Sequence, residues 1–99
     1  MSRLDRDAIA AALTDKLGAQ PDPAGQADLV APTGSINIAA GTADIGPAIA
    51  RLKPLPGYRW IAINGADLFH ASPKTIGTKV GIIDATGKVL KAADLPRRQ

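Results

Sequence analysis

An Asn-Gly pair between two apolar runs constrains the fold of this chain more than any other feature. It lies in the segment YRWIAINGADLFHA, at residues 58–71. Asn64 and Gly65 are typical of a two-residue type I′ turn, in which both turn residues adopt a positive φ. Counting outward from the turn pairs Trp60 with Phe69, and both faces of the two strands are then apolar. The pattern predicts a β-hairpin that either is covered on both sides or presents an aromatic face to a partner.

A second hairpin is predicted over TIGTKVGIIDATGKVL, at residues 75–90. Its turn is DATG, which places Asp84 and Gly87 where a type I turn prefers Asp and Gly. The letters DATGK also resemble the phosphorylated D-K-T-G-T motif of P-type ATPases. However, two of the five positions differ, and 99 residues cannot contain the additional domains of those enzymes. The segment does not match a P-loop either, so we interpret it as a turn.

The first residues of the chain predict an amphipathic helix over 3–17. Ser2 is a good N-cap, and Gly18 is placed to end the helix. The apolar stripe of this helix recurs every four residues and consists of Ile9, Leu13 and Leu17. We expect this stripe to contact other subunits of an assembly.

The middle of the chain contains three segments with different sequence patterns. Residues 19–34 contain three Pro and show no apolar periodicity, so they predict a linker or extended arm. Residues 35–40, SINIAA, alternate polar and apolar side chains and predict a short strand. Residues 44–52 place apolar side chains at helical spacing and predict a short helix. The chain then divides into an N-terminal helix (1–18), a Pro/Ala-rich arm (19–34), one compact α+β domain (35–95) and a basic tail (96–99).

These elements together predict an α+β fold. An N-terminal amphipathic helix and a Pro-rich arm precede a small, mostly antiparallel sheet or barrel of two hairpins, one short strand and one short helix. The arrangement of the hairpins stays open, because they could form one sheet, a small barrel, or an edge that another chain completes. A chain of 99 residues buries only one core.

Catalytic and metal sites are disfavoured by the residues that such sites need. The chain has no Cys and only one His, His70, so His and Cys cannot supply the three protein ligands of a zinc site. Ser72 and Asp84 could complete a Ser-His-Asp set, but no G-x-S-x-G motif surrounds the serine. We therefore expect a protein that is not an enzyme and has no catalytic, cofactor-binding or metal-binding residues. The sequence shows no transmembrane segment or signal peptide, so we expect no membrane partner. The localisation stays open, with cytoplasm and virion as the alternatives.

Charge is distributed unevenly along the chain. Residues 1–50 contain three Lys or Arg and six Asp, whereas residues 51–99 contain nine Lys or Arg and three Asp. The halves therefore carry net charges of −3 and +6, within the total of +3. A basic half indicates an acidic protein partner or nucleic acid, and halves of opposite charge allow copies to bind head to tail.

We interpret the chain as a non-enzymatic structural or interaction protein, a small subunit that binds other protein subunits of a larger assembly. Its composition, although not any motif, is similar to that of small phage virion accessory proteins such as capsid decoration or connector subunits. The alternative is a small nucleic-acid-binding or regulatory domain that uses the basic C-terminal hairpins, where aromatic side chains could stack on bases. The residues expected to make contacts are Ile9, Leu13, Leu17, Tyr58, Arg59, Trp60, Lys79, Arg97 and Arg98.

Overall fold

The computed structural model describes residues 4–95. Within this part of the chain there are three α-helices, six strands and one short 3₁₀ helix at Gly65–Asp67. The α-helices are α1 (Arg6–Leu17), α2 (Thr42–Leu52) and α3 (Leu68–Thr75). The strands are β1 (Gln20–Pro21), β2 (Leu29–Ala31), β3 (Gly34–Ala39), β4 (Arg59–Ile63), β5 (Gly81–Asp84) and β6 (Val89–Lys91). The predicted α+β class is confirmed.

The six strands form one sheet in the order β1-β2-β3-β4-β5-β6. At its centre β3, β4 and β5 pair in parallel, whereas β1–β2, β2–β3 and β5–β6 pair antiparallel. Parallel neighbours need a crossover connection, and α2 and α3 provide the two crossovers. Within residues 4–95 the sheet is therefore open and mixed, with a parallel centre and with β1 and β6 at its edges. The predicted barrel and the predicted arrangement of two hairpins are not confirmed.

Helices cover both faces of the sheet. On one face α2 and α3 pack over a core that includes Ile45, Ile49, Leu52, Ile61, Ile63, Ala71 and Ile82. On the other face α1 packs over a core that includes Ile9, Leu13, Ile36, Ile38, Trp60, Ala62 and Ile83. Successive side chains of a strand point to opposite faces, so all five residues of β4 are buried.

The first predicted hairpin is wrong. The chain does not turn back after Asn64, which has a φ of −70°, and it continues into the 3₁₀ helix and α3. Tertiary contacts hold Asn64 instead, because its side-chain amide donates to the carbonyls of Leu4 and Ala40 and accepts from the Leu4 N–H. As a result Trp60 pairs with residues of β3 and β5 and not with Phe69.

The second predicted hairpin corresponds to the antiparallel pair β5–β6, although β5 begins at Gly81 and not near residue 75. The Gly87 N–H donates to the Asp84 carbonyl at 3.0 Å, and the Asp84 carboxylate accepts from the N–H groups of Thr86 and Lys88. Burial by itself raises the pKa of Asp84, but the hydrogen bonds from Thr86 and Lys88 outweigh it and lower the pKa. The DATGK segment is thus a turn whose carboxylate binds its own backbone.

Residues 19–34, predicted as an irregular arm, contribute β1 and β2 to the sheet. The loop between these strands is closed by Asp22, whose carboxylate accepts three backbone N–H groups between residues 24 and 27. The bond from Ala27 is the largest cause of the lowered pKa of Asp22. Pro21 is tolerated because β1 is a two-residue edge strand, where the absent N–H interrupts no central ladder.

The first helix is close to its prediction. α1 begins at Arg6, three residues later than predicted, because Asp5 is its N-cap and accepts the Ala8 N–H at 2.8 Å. The predicted cap at Ser2 lies outside the described residues. Gly18 ends the helix with a φ of 67°, as predicted.

Candidate functional site

Helix α3 exposes large apolar side chains and buries small ones. Phe69 is 89% exposed, and Ile76, directly after the helix, is 72% exposed. Pro73 lies between them and is also exposed. Because spacings of four and three residues bring side chains to one side of a helix, these three residues form one stripe, which we name the α3 ridge. The fully buried residues of α3 are Ala71 and Thr75. The α3 ridge thus presents to solvent the kind of surface that helices usually pack inward.

Two basic side chains lie near the C-terminal end of α3. Lys74 is exposed on α3 itself, next to Pro73. Lys91 of β6 donates from Nζ to the Thr75 hydroxyl at 2.7 Å, which places a second ammonium group beside the end of the helix. Neither cation lies on the α3 ridge itself, because Lys74 follows Phe69 by five residues and Thr75 is on the buried side of the helix.

A cleft of about 180 Å³ lies where β3 ends and α2 begins. Its lining consists of Arg6, Ile38, Ala40, Asp44, Pro47, Ala48 and Arg51. We name it the arginine cleft. None of these lining residues belongs to α3, so the cleft and the α3 ridge are separate surfaces.

Asp28 holds both arginines of the cleft. Its Oδ1 pairs with the guanidinium groups of Arg6 and Arg51, and its Oδ2 accepts the Ile38 N–H at 2.8 Å. The Asp28 side chain is only 8% exposed. Burial by itself raises the pKa of Asp28, but the hydrogen bonds from Arg6, Ile38 and Arg51 outweigh burial and lower the pKa. Since one carboxylate pairs with two guanidinium groups, these three side chains together carry a net charge of +1.

The structure corrects the assignment of the α1 stripe to a subunit contact. Ile9 and Leu13 are 0% exposed and lie in this chain's own core, so a partner cannot reach them while the chain is folded. Leu17 is half-buried, and its side chain lies against Gly87 in the β5–β6 turn. The stripe is apolar because it packs on the sheet.

The predicted cluster of aromatic and basic residues on β4 is also mostly internal. Arg59 is 3% exposed and donates to the carbonyls of Leu52, Lys53 and Thr78, at the end of α2 and in the loop before β5. Burial lowers the pKa of Arg59. Trp60 is 8% exposed, and its indole N–H donates to a backbone carbonyl at 2.8 Å. Both side chains are therefore part of the packing of the sheet and are not accessible for stacking on a base.

Other predicted contact residues are accessible or lie outside the described part of the chain. Tyr58 is 46% exposed, just before β4. Lys79 has a positive φ of 65° in the loop before β5, and its Nζ lies 3.8 Å from the Asp94 carboxylate. Arg97 and Arg98 lie outside the described residues.

The α3 ridge and the arginine cleft were both missed by the sequence reasoning. The helical spacing of Phe69, Pro73 and Ile76 was a usable signal, but the Asn-Gly pair assigned Phe69 to a strand. No sequence signal places Arg6 and Arg51 beside Asp28, since these residues are distant along the chain.

Within residues 4–95, no three His, Cys, Asp or Glu side chains are grouped so that they could hold a metal ion. Among the same residues, no helix has the length and apolar character needed to span a membrane.

A fold alone does not identify an activity, because one fold can carry many unrelated functions. Comparison of the chain with protein-family models, with curated proteins and with solved structures gives no significant match.

Proposed function

We propose that this chain is a non-enzymatic assembly subunit whose copies associate head to tail, with the α3 ridge as one of the two contact surfaces. The observation that carries the proposal is the 89% exposure of Phe69, in a chain with only three aromatic residues. The other two aromatic residues lie on or beside β4, and Trp60 is buried. A virion accessory role, suggested by the composition, is one place for such a subunit.

The charges of the chain support contact between unlike surfaces. Asp7 and Asp15 are exposed on α1, and Asp44 is exposed on α2. These carboxylates lie in the acidic N-terminal half, whereas Lys74 and Lys91 belong to the basic half and lie near the C-terminal end of α3. Opposite charges on different surfaces favour a heterologous contact over an isologous one, which would bring like charges together.

Burial of the α3 ridge in a contact between two copies is expected to give a weak association. A fully buried Phe or Ile side chain contributes about 1.5–3 kcal/mol. Association also has an entropic cost of several kcal/mol that offsets much of this gain, so a weak association is expected. Nucleic-acid binding by the C-terminal half is the weaker proposal, because Arg59 and Trp60 are buried.

The proposal is tested by removing the apolar atoms of the ridge. We expect Phe69→Ser/Ile76→Ser to weaken self-association roughly 100-fold, since it removes two apolar contacts. Sedimentation equilibrium over a range of protein concentrations measures the dissociation constants of the variant and the unmodified chain. Circular dichroism confirms that the variant is folded, which is expected because both side chains are exposed.

Val89→Thr is the matched control for this experiment. Val89 is 53% exposed on β6, outside the α3 ridge, and Thr keeps its shape and its preference for strands. The control should associate like the unmodified chain. Equal association constants for the unmodified chain and the ridge variant would refute the proposal.

A further inference from the structure

We propose that the Phe69 ring of one copy occupies the arginine cleft of a second copy. This inference rests on the proposed function and names the surface that the α3 ridge contacts. Within one chain Phe69 does not fill the cleft, since it is 89% exposed and is not among the lining residues.

The cleft is large enough for the ring. An apolar cavity of about 150 Å³ holds a benzene molecule, and the arginine cleft measures about 180 Å³. It is too small for the ligands of most small-molecule sites, which occupy roughly 300–1,000 Å³. Its volume therefore fits a single side chain better than a metabolite or cofactor.

The lining of the cleft fits an aromatic side chain. Four of its residues are apolar, namely Ile38, Ala40, Pro47 and Ala48, and two are arginines. A guanidinium group is attracted to the face of an aromatic ring. Because Asp28 already holds Arg6 and Arg51, little side-chain freedom remains to be lost when the ring enters.

Asp44 also lines the cleft and is exposed at the first turn of α2. Lys74 follows Phe69 by five residues, which on an α-helix turns its side chain about 140° away from the ring. The contact therefore takes its direction from the ring and the guanidinium groups and not from a pair of charges at its edge.

The contact joins two different surfaces, so it leaves one ridge and one cleft free at the ends of every open assembly. This property allows a test by mixing two variants. Phe69→Ser lacks the ring but keeps the cleft. Arg51→Ala keeps the ring and loses one guanidinium group of the cleft, while Arg6 still neutralises Asp28. Phe69→Ser alone should associate at least roughly tenfold more weakly than the unmodified chain. Arg51→Ala alone should associate roughly two- to thirtyfold more weakly, as expected for the loss of one cation–π contact.

Mixed in equal amounts, the two variants should form a complex of two chains and nothing larger, because each copy has only one intact surface. Sedimentation equilibrium, at a concentration where each variant alone is a monomer, measures this mass. Lys53→Ala removes an exposed cation just after α2, outside the cleft, and should leave association unchanged. Urea unfolding shows whether Arg51→Ala is folded.

Three results would overturn the inference. They also show whether the proposed function fails together with it or stands without it. If Arg51→Ala associates like the unmodified chain while Phe69→Ser does not, the ridge binds another surface and only the cleft assignment fails. If the mixture stays monomeric, ring and cleft do not meet. If the unmodified chain shows no self-association, both proposals fail.

Discussion

Replacing Gly34 with Ala is expected to destabilise the fold by roughly 3 kcal/mol or more. Gly34 has a φ of +130°, a conformation that residues with a Cβ rarely adopt. An added Cβ would also overlap the backbone carbonyl oxygen of Tyr58. That oxygen accepts the Ser35 N–H at 3.0 Å, at the start of the parallel pairing between β3 and β4. The substitution therefore disturbs the centre of the sheet, and urea unfolding measures its cost.

Gly65→Ala is the matched control for Gly34→Ala. Gly65 lacks a left-handed φ, and an added Cβ would meet nothing within 4 Å. We expect the free energy of unfolding to change by less than about 1 kcal/mol, with stabilisation favoured because Ala restricts the unfolded chain. The same variant tests the absence of a type I′ turn at Asn64-Gly65, since a Gly with positive φ in such a turn would make Ala costly. A large loss from Gly65→Ala combined with a small loss from Gly34→Ala would contradict the parallel sheet.

Introducing a carboxylate at Leu13 is expected to prevent folding. Leu13 is 0% exposed between α1 and the sheet, so Leu13→Asp buries a charge without a partner. Its cost, above about 4 kcal/mol, is comparable to the total stability of a small domain. Leu13→Ala should remain folded at a loss of about 2–5 kcal/mol, which keeps the effect measurable. Thermal and urea unfolding followed by circular dichroism distinguish the two variants.

Ala11→Asp places the same carboxylate on the exposed side of α1. It should cost roughly 1–1.5 kcal/mol, from the lower helix propensity of Asp and from repulsion by Asp7 and Asp15, which lie four residues away on either side. If Leu13→Asp folded normally and lost only self-association, α1 would be an interface helix, as the sequence suggested, and its packing on the sheet would be wrong.

Elements that depend on local chemistry could be predicted from the sequence. Gly18 ends α1 because a C-terminal glycine tolerates a positive φ. The apolar spacing around Ile45 and Ile49 identified α2, and the DATG turn identified the connection between β5 and β6. In each case the residues that specify the structure lie within one or two helical turns or a single loop.

Elements that depend on distant partners could not be predicted in the same way. The Asn-Gly pair favours a local turn, but Asn64 binds Leu4 and Ala40. Strand β4 is covered on one face by α2 and α3 and on the other by α1, which is distant in sequence. A strand buried on both faces has a continuous apolar run, and its apolar pattern does not show whether its neighbours are parallel. Helix α3 could not be recognised from the sequence, because its buried residues, Ala71 and Thr75, are small or polar and give no apolar stripe.

The candidate site was less predictable than the fold. An apolar stripe such as Ile9 and Leu13 has the same sequence pattern whether it packs on its own sheet or on a partner, so burial alone separates the two roles. The arginine cleft depends on Asp28 bringing together residues from α1 and α2, which only the folded chain does.

The most direct test of the central claim is the mass of the unmodified chain in solution, measured by light scattering over a range of concentrations. Measurements at about 10 mM and about 1 M salt change the screening length from roughly 30 Å to roughly 3 Å. We predict an average mass that exceeds that of one chain, rises with concentration, and falls at high salt as the attraction between the acidic and basic halves of neighbouring copies is screened. A mass of one chain at every concentration and at both salt levels would contradict head-to-tail assembly through the α3 ridge.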